Sequence, residues 1–261
     1  MKVYTLADYA GMDTEPEILF WVGCAGSFDP RAQKITQSLV KILHNAGIKY
    51  AVLGNEESCT GDPARRAGNE FIFQMMALQN IEVMNMYKVN KIVTACPHCF
   101  NTLKNEYPEL GGNYEVVHHT TLIQQLIEEG KLTIEGGVFE GKTIAYHDSC
   151  YLGRVNNIYE APRQILSKLD GDLKEAPRNR TKGFCCGAGG AQVFKEEEPS
   201  STDEKVNHER VGELLDTKPD IIAANCPYCI LMMNDGVKAK GKDEEVMVYD
   251  ISELIVQANK W

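Results

Sequence analysis

No stretch of this chain reads as a membrane span. The longest apolar run, Ile18 to Val22, has the length of a strand, whereas a bilayer-crossing helix needs ~20 apolar residues. The opening residues MKVYTLADYAGMDTEPE lack the basic start and apolar centre of a secretory signal. The expected location is therefore the cytoplasm, with any membrane association peripheral and made through a partner rather than by direct insertion. Positive charge is also scarce: 27 Lys and Arg against 37 Asp and Glu leave a net charge of −10. Sequence-independent nucleic-acid binding needs cations clustered against phosphates, so no nucleic-acid partner is expected. Arg154, Arg163, Arg178, Arg180 and Lys182 do fall near one another, and are read as a solvated charged face. No Ser-His-Asp set, paired carboxylates or nucleotide fingerprint stands out, and no catalytic residue is assigned. The glycine-rich CCGAGGA at 185–191 lacks the Gly-Lys-Ser/Thr that would make it a phosphate loop.

What the chain does hold is cysteine, nine residues of it. Structural disulfides are rare in a reducing cytoplasm. An odd count in a chain of 261 residues also fits a secreted disulfide scaffold poorly. Metal ligation is the leading explanation before any spacing is considered.

The spacing shows that the chain is written twice. KIVTACPHCFNTLKNE (91–106) matches DIIAANCPYCILMMND (220–235): a β-branched run, Cys-Pro-x-Cys, then a helical stretch. EILFWVGC (17–24) matches KTIAYHDSC (142–150) in the same way. Cys24 to Cys59 is 35 positions, and so is Cys150 to Cys185. An internal duplication follows, with a boundary near Gly137–Gly141, a first domain over 1–139 and a second over 140–261. Within each half β-rich runs alternate with helical patterns, the signature of βαβ units and a parallel sheet. The expected strands are 17–23, 48–53, 91–95 and 114–118, then 142–147, 172–176, 220–224 and 246–250. The fold class is α/β, each half a small, mostly parallel sheet with flanking helices. The cysteines fall after strands or in loops that open helices, and ligands of open α/β sheets gather outside the carboxyl ends of strands. Pro97 and Pro227 suit the first turn of a helix, where the N–H has no intrahelical partner to lose.

The second half offers Cys150, Cys185, Cys186, Cys226 and Cys229; the first offers Cys24, Cys59, Cys96 and Cys99, with Thr60 where Cys186 stands. Zinc needs no fifth thiolate, so it explains the first half better than the second. Iron–sulfur clusters are held by cysteine thiolates, and soft thiolates suit iron over magnesium or calcium. A redox dithiol is the third reading of Cys-Pro-His-Cys and Cys-Pro-Tyr-Cys, since such motifs sit at helix N-termini. It leaves Cys24, Cys59, Cys150, Cys185 and Cys186 without a role.

HDSC (147–150), CCGAGGA (185–191) and CPYC (226–229) together resemble the cysteine-rich CCG domain, over roughly residues 17–255. That domain occurs twice in the B subunit of heterodisulfide reductase. It also occurs in iron–sulfur subunits of lactate-, glycolate- and glycerol-3-phosphate-oxidising complexes, and in iron–sulfur oxidoreductases that work with electron-transfer flavoprotein. CTGDPARRAGNE (59–70) is similar to the first-half variant of the latter branch. The resemblance implies a noncubane [4Fe-4S] cluster on Cys150, Cys185, Cys186, Cys226 and Cys229. Gly187, with Gly189 and Gly190, would let backbone N–H groups approach sulfides and let the loop take positive φ. The four-thiol first half departs from the two-cluster pattern; it implies a [4Fe-4S] cubane, or zinc, on Cys24, Cys59, Cys96 and Cys99. The implied function is electron relay, as an oxidoreductase component, between a flavoprotein or similar donor and a quinone- or ferredoxin-linked partner. The partners are other subunits of a redox complex, including a membrane-bound iron–sulfur or quinone-linked protein. The alternatives are a disulfide or thiol reductase acting at the noncubane cluster, and a zinc-bound scaffold.

Other residues carry weaker expectations. His147 is read as a hydrogen-bond donor to a cluster sulfide or a ligand, against a plain strand-end histidine. Of His118 and His119, one is expected in the core and one at a site. Asp62, Arg65 and Arg66 are read as surface ion pairs or as balancing cluster charge. Met75, Met76, Met84 and Met86 are assigned to core packing, and Glu196–Glu198 with Pro199–Thr202 to a polar loop.

Overall fold

Eight short strands build two sheets in the computed structural model, which describes residues 1–195 and 205–261. The polar stretch from Glu196 to Thr202 lies outside the described residues. The chain divides into two compact units, Met1–Leu132 and Thr133–Trp261.

In the first unit the strands are β1 (Ile18–Trp21), β2 (Tyr50–Ala51), β3 (Lys91–Thr94) and β4 (Glu115–His118). In the second they are β5 (Thr143–Tyr146), β6 (Asp172–Glu175), β7 (Ile221–Ala224) and β8 (Met247–Asp250). Every pairing is parallel, and the sheet orders are β2-β1-β3-β4 and β6-β5-β7-β8. A parallel sheet is covered by helices on both faces, so its central strands are apolar throughout, while the edge strands β4, β6 and β8 alternate in exposure. Ile18, Leu19, Phe20 and Trp21 are all buried, as are Ile221 through Ala224. Burying a large apolar side chain contributes about 1.5–3 kcal/mol, so these central strands dominate the stability of their sheets.

The helices, in chain order, are α1 (Leu6–Tyr9), α2 (Gly23–Phe28), α3 (Pro30–Asn45), α4 (Asp62–Arg66), α5 (Glu70–Met86), α6 (Pro97–Asn101), α7 (His119–Glu128), α8 (Glu160–Leu166), α9 (Val206–Leu215), α10 (Pro227–Ala239) and α11 (Ile251–Ala258). Pro97 and Pro227 occupy the first helical position of α6 and α10. The last helix of each unit starts on a matched side-chain cap. His118 Nδ1 accepts from the Thr120 backbone N–H at 3.4 Å, and Asp250 accepts from Ser252 N at 2.8 Å. His118 and His119 are both fully buried, and His118 works as a cap set edge-on to Phe100.

α5 departs from expectation. Its core face is Phe73, Ala77, Asn80, Ile81 and Met84. At 3.6 residues per turn, Met84 lies two and a half turns from Met75 and on the opposite face. Met86 lies about three turns from Met75 and shares its face. Met75 and Met86 are accordingly exposed, at 57% and 62%, and Met76 is half-buried.

Candidate metal centres

In each sheet the chain leaves the first strand toward one edge and later returns to the other side of it. The reversal falls between β1 and β3, and between β5 and β7. A crevice opens outside the carboxyl ends of strands at such a switch point. Cys24 follows β1 and Cys96 follows β3 at the first crevice; Cys150 follows β5 and Cys226 follows β7 at the second. The loops after β2 and β6 bring Cys59, and Cys185 with Cys186, to the same ends.

A carboxylate ties these loops together in each unit. Glu57, beside Cys59, accepts from the backbone N–H of Val22 at 3.0 Å and of Gly23 at 2.6 Å. Burial pushes its carboxyl up to about 7 against those two N–H groups. In the second unit the direction is reversed: Asp148, beside Cys150, accepts from Arg180 N at 2.7 Å. Asp148 is also gripped by both Nη atoms of Arg163, each at 2.8 Å. Burial alone would raise its pKa, but the Arg163 guanidinium holds it below the usual carboxylate value.

Matched glycines shape the next turn. Gly61 and Gly187 are left-handed, with φ of +86° and +92°. Each donates its N–H to the sulfur two residues back: Gly61 to Cys59 Sγ at 3.5 Å, Gly187 to Cys185 Sγ at 3.3 Å. Gly190 is also left-handed, at φ +68°.

The thiols form one group per unit. In the first, Cys24 and Cys59 are adjacent; the Cys24 thiol and then burial push the Cys59 thiol up. The Cys99 thiol is raised by Cys96, then by burial, and feels the charges of Cys24 and Cys59 too. Gly23, at φ +78°, leaves room for Cys99, since a Cβ there would sit 3.2 Å from its Sγ. In the second group Cys229 Sγ lies 3.4 Å from Cys186 Sγ. Cys186 and Cys226, followed by burial, raise the Cys229 thiol. Cys150 and Cys186 both donate to Cys185, holding that thiol low, while Cys150 is raised. Five soft sulfur ligands gathered at one place suit a thiophilic metal group.

Buried donors without acceptors point the same way. His147 Nε2, Asn225 Nδ2 and Arg210 Nη2 in the second unit, and Trp21 Nε1 in the first, are buried with no hydrogen-bond partner among the described residues. Buried polar groups are nearly always paired, and His147 stands with Cys186 and Cys229 with one ligating atom of each within 4.8 Å of the others. Thiols suit iron as ligands, and N–H donors beside them suit the sulfur atoms of an iron–sulfur cluster. At the position of Cys186 the first unit has Thr60, buried, whose carbonyl accepts from Tyr107 Oη at 3.2 Å.

The remaining charged residues mostly hold the scaffold. Arg65 pairs with Glu106 at 2.9 Å and Arg66 with Asp62 at 2.9 Å and with Glu106. Asp62 also meets His98 Nδ1, inside Cys-Pro-His-Cys, at 3.0 Å. The basic cluster is not one solvated face. Arg163 is buried between Asp148 and Glu175, whereas Arg178 and Arg180 are part-exposed in pairs with Glu213 and Glu160. Arg210 was missed by sequence reasoning, because a lone arginine on an amphipathic helix carries no local signal.

Comparison with known proteins agrees with the duplication. The cysteine-rich CCG domain model matches residues 18–104 and again 144–234. EtfAB:quinone oxidoreductase of Syntrophomonas wolfei is 44% identical over 248 residues, which cover 94% of this chain and 34% of that protein. A probable iron-sulfur-binding oxidoreductase, FadF, of Bacillus subtilis is 46% identical over 258 residues, covering 98% and 36%. The D subunit of the dihydromethanophenazine:CoB–CoM heterodisulfide reductase of Methanosarcina barkeri is 33% identical over 255 residues, covering 95% and 60%. The chain thus spans only 34% and 36% of the first two relatives. Among solved structures, a hypothetical protein from Helicobacter pylori shares the fold, with a TM-score of 0.59 at 12% identity over 94% of this chain and 49% of that one. No helix among the described residues is long and apolar enough to cross a membrane. With its cysteine-rich model matched twice, once per sheet, the chain belongs to the CCG cysteine-rich domain family.

Proposed function

We propose that this chain is the iron–sulfur electron-transfer part of a redox complex. A noncubane [4Fe-4S] cluster is held by Cys150, Cys185, Cys186, Cys226 and Cys229. A second group, a [4Fe-4S] cubane or zinc, is held by Cys24, Cys59, Cys96 and Cys99. The clusters supply one-electron transfer; the protein supplies ligands, N–H donors and a carboxylate-tied loop frame.

The observation that carries this reading is the fifth thiol. Cys186 lies 3.4 Å from Cys229, next to a Cys185 sulfur already surrounded by donors, where four ligands would satisfy zinc or a cubane. The first unit, with Thr60 at that place, offers four thiols. The relative named EtfAB:quinone oxidoreductase supports a flavoprotein donor and a quinone-linked acceptor, and the one named iron-sulfur-binding oxidoreductase supports the clusters. A further relative, a probable membrane-anchored ferredoxin of Chromohalobacter salexigens, supports a membrane location reached through a partner. The heterodisulfide reductase relative favours a second reading, reduction of a disulfide at the noncubane cluster. The single intact five-thiol motif weighs against a mechanism needing two such clusters.

Anaerobic purification followed by iron, sulfide and zinc analysis with EPR tests the proposal. About eight irons per chain is expected for two clusters, and about four irons with one zinc for a cluster beside a structural metal. Colourless, iron-free protein sinks the relay. Turnover of disulfides by the isolated chain selects the second reading.

A further inference from the structure

Arg210 sits on α9, 24 residues beyond Cys186, and is fully buried. Its Nη1 donates to Glu213 Oε2 at 2.7 Å and to the Arg178 carbonyl at 3.0 Å. Its Nε donates to His147 Nδ1 at 3.0 Å. A guanidinium has donors only and keeps its proton in proteins. The imidazole nitrogen that faces it must therefore be the one with the lone pair. The ring is neutral, and its single proton is on the far nitrogen, Nε2.

That Nε2 is buried and finds no acceptor among the described residues, while the ring stands beside the sulfurs of Cys186 and Cys229. A protonated ring nitrogen has no lone pair for a metal, but it is a good donor to a thiolate or sulfide. We infer that Arg210 is a positioning residue: it locks His147 in the Nε2–H tautomer, as a hydrogen-bond donor to the sulfur of the second-unit cluster and not as an iron ligand. This rests on the cluster assignment proposed above.

The first unit supplies an independent parallel. The matched position holds Trp21, whose indole Nε1 is likewise buried without a partner among the described residues. An indole nitrogen can only donate. Both units thus keep a buried ring N–H at the carboxyl end of their first strand. Tryptophan does so by its chemistry, whereas histidine needs its tautomer fixed from behind. A donor to cluster sulfur favours the more negative, reduced state, and hydrogen bonds to sulfur are among the determinants of cluster potential.

The test uses cluster-loaded protein with ¹⁵N-labelled histidine, studied by electron–nuclear double resonance in the paramagnetic state. The expected result is a weak nitrogen coupling with an exchangeable proton coupling that vanishes in deuterated water. Arg210→Lys, which also presents only donors, keeps both. Arg210→Met loses the proton coupling and lowers the midpoint potential, with about a tenfold change in the reduced-to-oxidised ratio at fixed poise, ~59 mV for one electron. Strong coupling typical of a directly bound nitrogen, or an Arg210→Met protein with unchanged spectrum and potential, overturns the inference. If the methionine variant does not fold, ¹⁵N imidazole shifts of His147 in the unmodified chain decide: Nε2–H supports the lock and Nδ1–H overturns it. Iron-free protein overturns the cluster assignment and this inference together, whereas iron with a bound His147 overturns this inference alone.

Discussion

At the scale of single residues, two glycines and one cysteine carry much of the site. Gly61 and Gly187 take matching left-handed turns, yet their surroundings differ. A Cβ on Gly61 would lie 2.9 Å from Phe73 Cδ2 and 3.2 Å from its backbone; one on Gly187 would lie 3.3 Å from Val206. Left-handed backbone costs a non-glycine residue about 1–2 kcal/mol, and overpacking adds about 1–3 kcal/mol. Gly61→Ala is therefore expected to lower stability by the sum of both, and Gly187→Ala by little more than the first. Urea denaturation midpoints of the two variants provide the comparison. Cys186→Ser addresses the fifth thiol. Its expected outcome is loss of the second-unit cluster, about four irons, with the first-unit metal retained. Retention of both metals would contradict the ligand assignment.

At the scale of elements, the helices that follow Cys-Pro-x-Cys differ between the units. α10 runs regularly for 13 residues, while α6 ends after five and widens into a π turn over Thr102–Glu106. Pro108 supplies a reason: its ring clashes with the carbonyl four residues back and it has no N–H to donate. The wide turn delivers Glu106 to Arg65, Arg66 and Asn101, and Tyr107 to Thr60 and Asn80. In the second unit β6 and α8 are joined to the cysteine loop by the buried Asp148–Arg163–Glu175 set. Removing one member of such a buried pair typically costs about 3–5 kcal/mol, so Arg163→Met is expected to lose stability on that order, read from the unfolding midpoint. α9 adds a pH dependence. Burial would raise the Glu213 carboxyl, but the Arg178 N–H and Arg210 bonds hold it below its ordinary value of 4.5. Its folded pKa is depressed, so its contribution is complete above pH 4.5 and is lost as pH falls through the folded value. Stability of Glu213→Gln measured across that acid range is expected to fall less steeply than that of the parent chain.

At the scale of the whole molecule, each compact unit contains a full set of cysteines on its own sheet. Cys150 through Cys229 all lie within Thr133–Trp261, together with His147 and Arg210. A fragment of residues 133–261 is expected to bind about four irons and to show the EPR signature of the second-unit cluster. A fragment that folds but takes up no iron would mean the site needs the first unit. The apolar face of α5, with Phe71 74%, Met75 57% and Leu78 51% exposed, lies in the first unit.

Much of this was determined by the sequence itself. Runs such as KIVT and IIAA, short, β-branched and set between helical patterns, read as strands of a parallel sheet, and cysteines placed just after them lie at the carboxyl ends of those strands. The duplication, the helix starts at Pro97 and Pro227, and the missing fifth thiol at Thr60 are all one-dimensional facts, because spacing and side-chain chemistry are local. What only the tertiary structure decided involves partners distant in sequence. Arg210 meets His147 across 63 positions, and Glu57 reaches Val22 across 35. Arg163 turned out to be buried and the paired histidines a cap and a core residue. The methionines divided between the two faces of α5 according to the phase of the helix against its sheet. A buried hydrogen bond is set by which surfaces pack together, and no local pattern of residues encodes that.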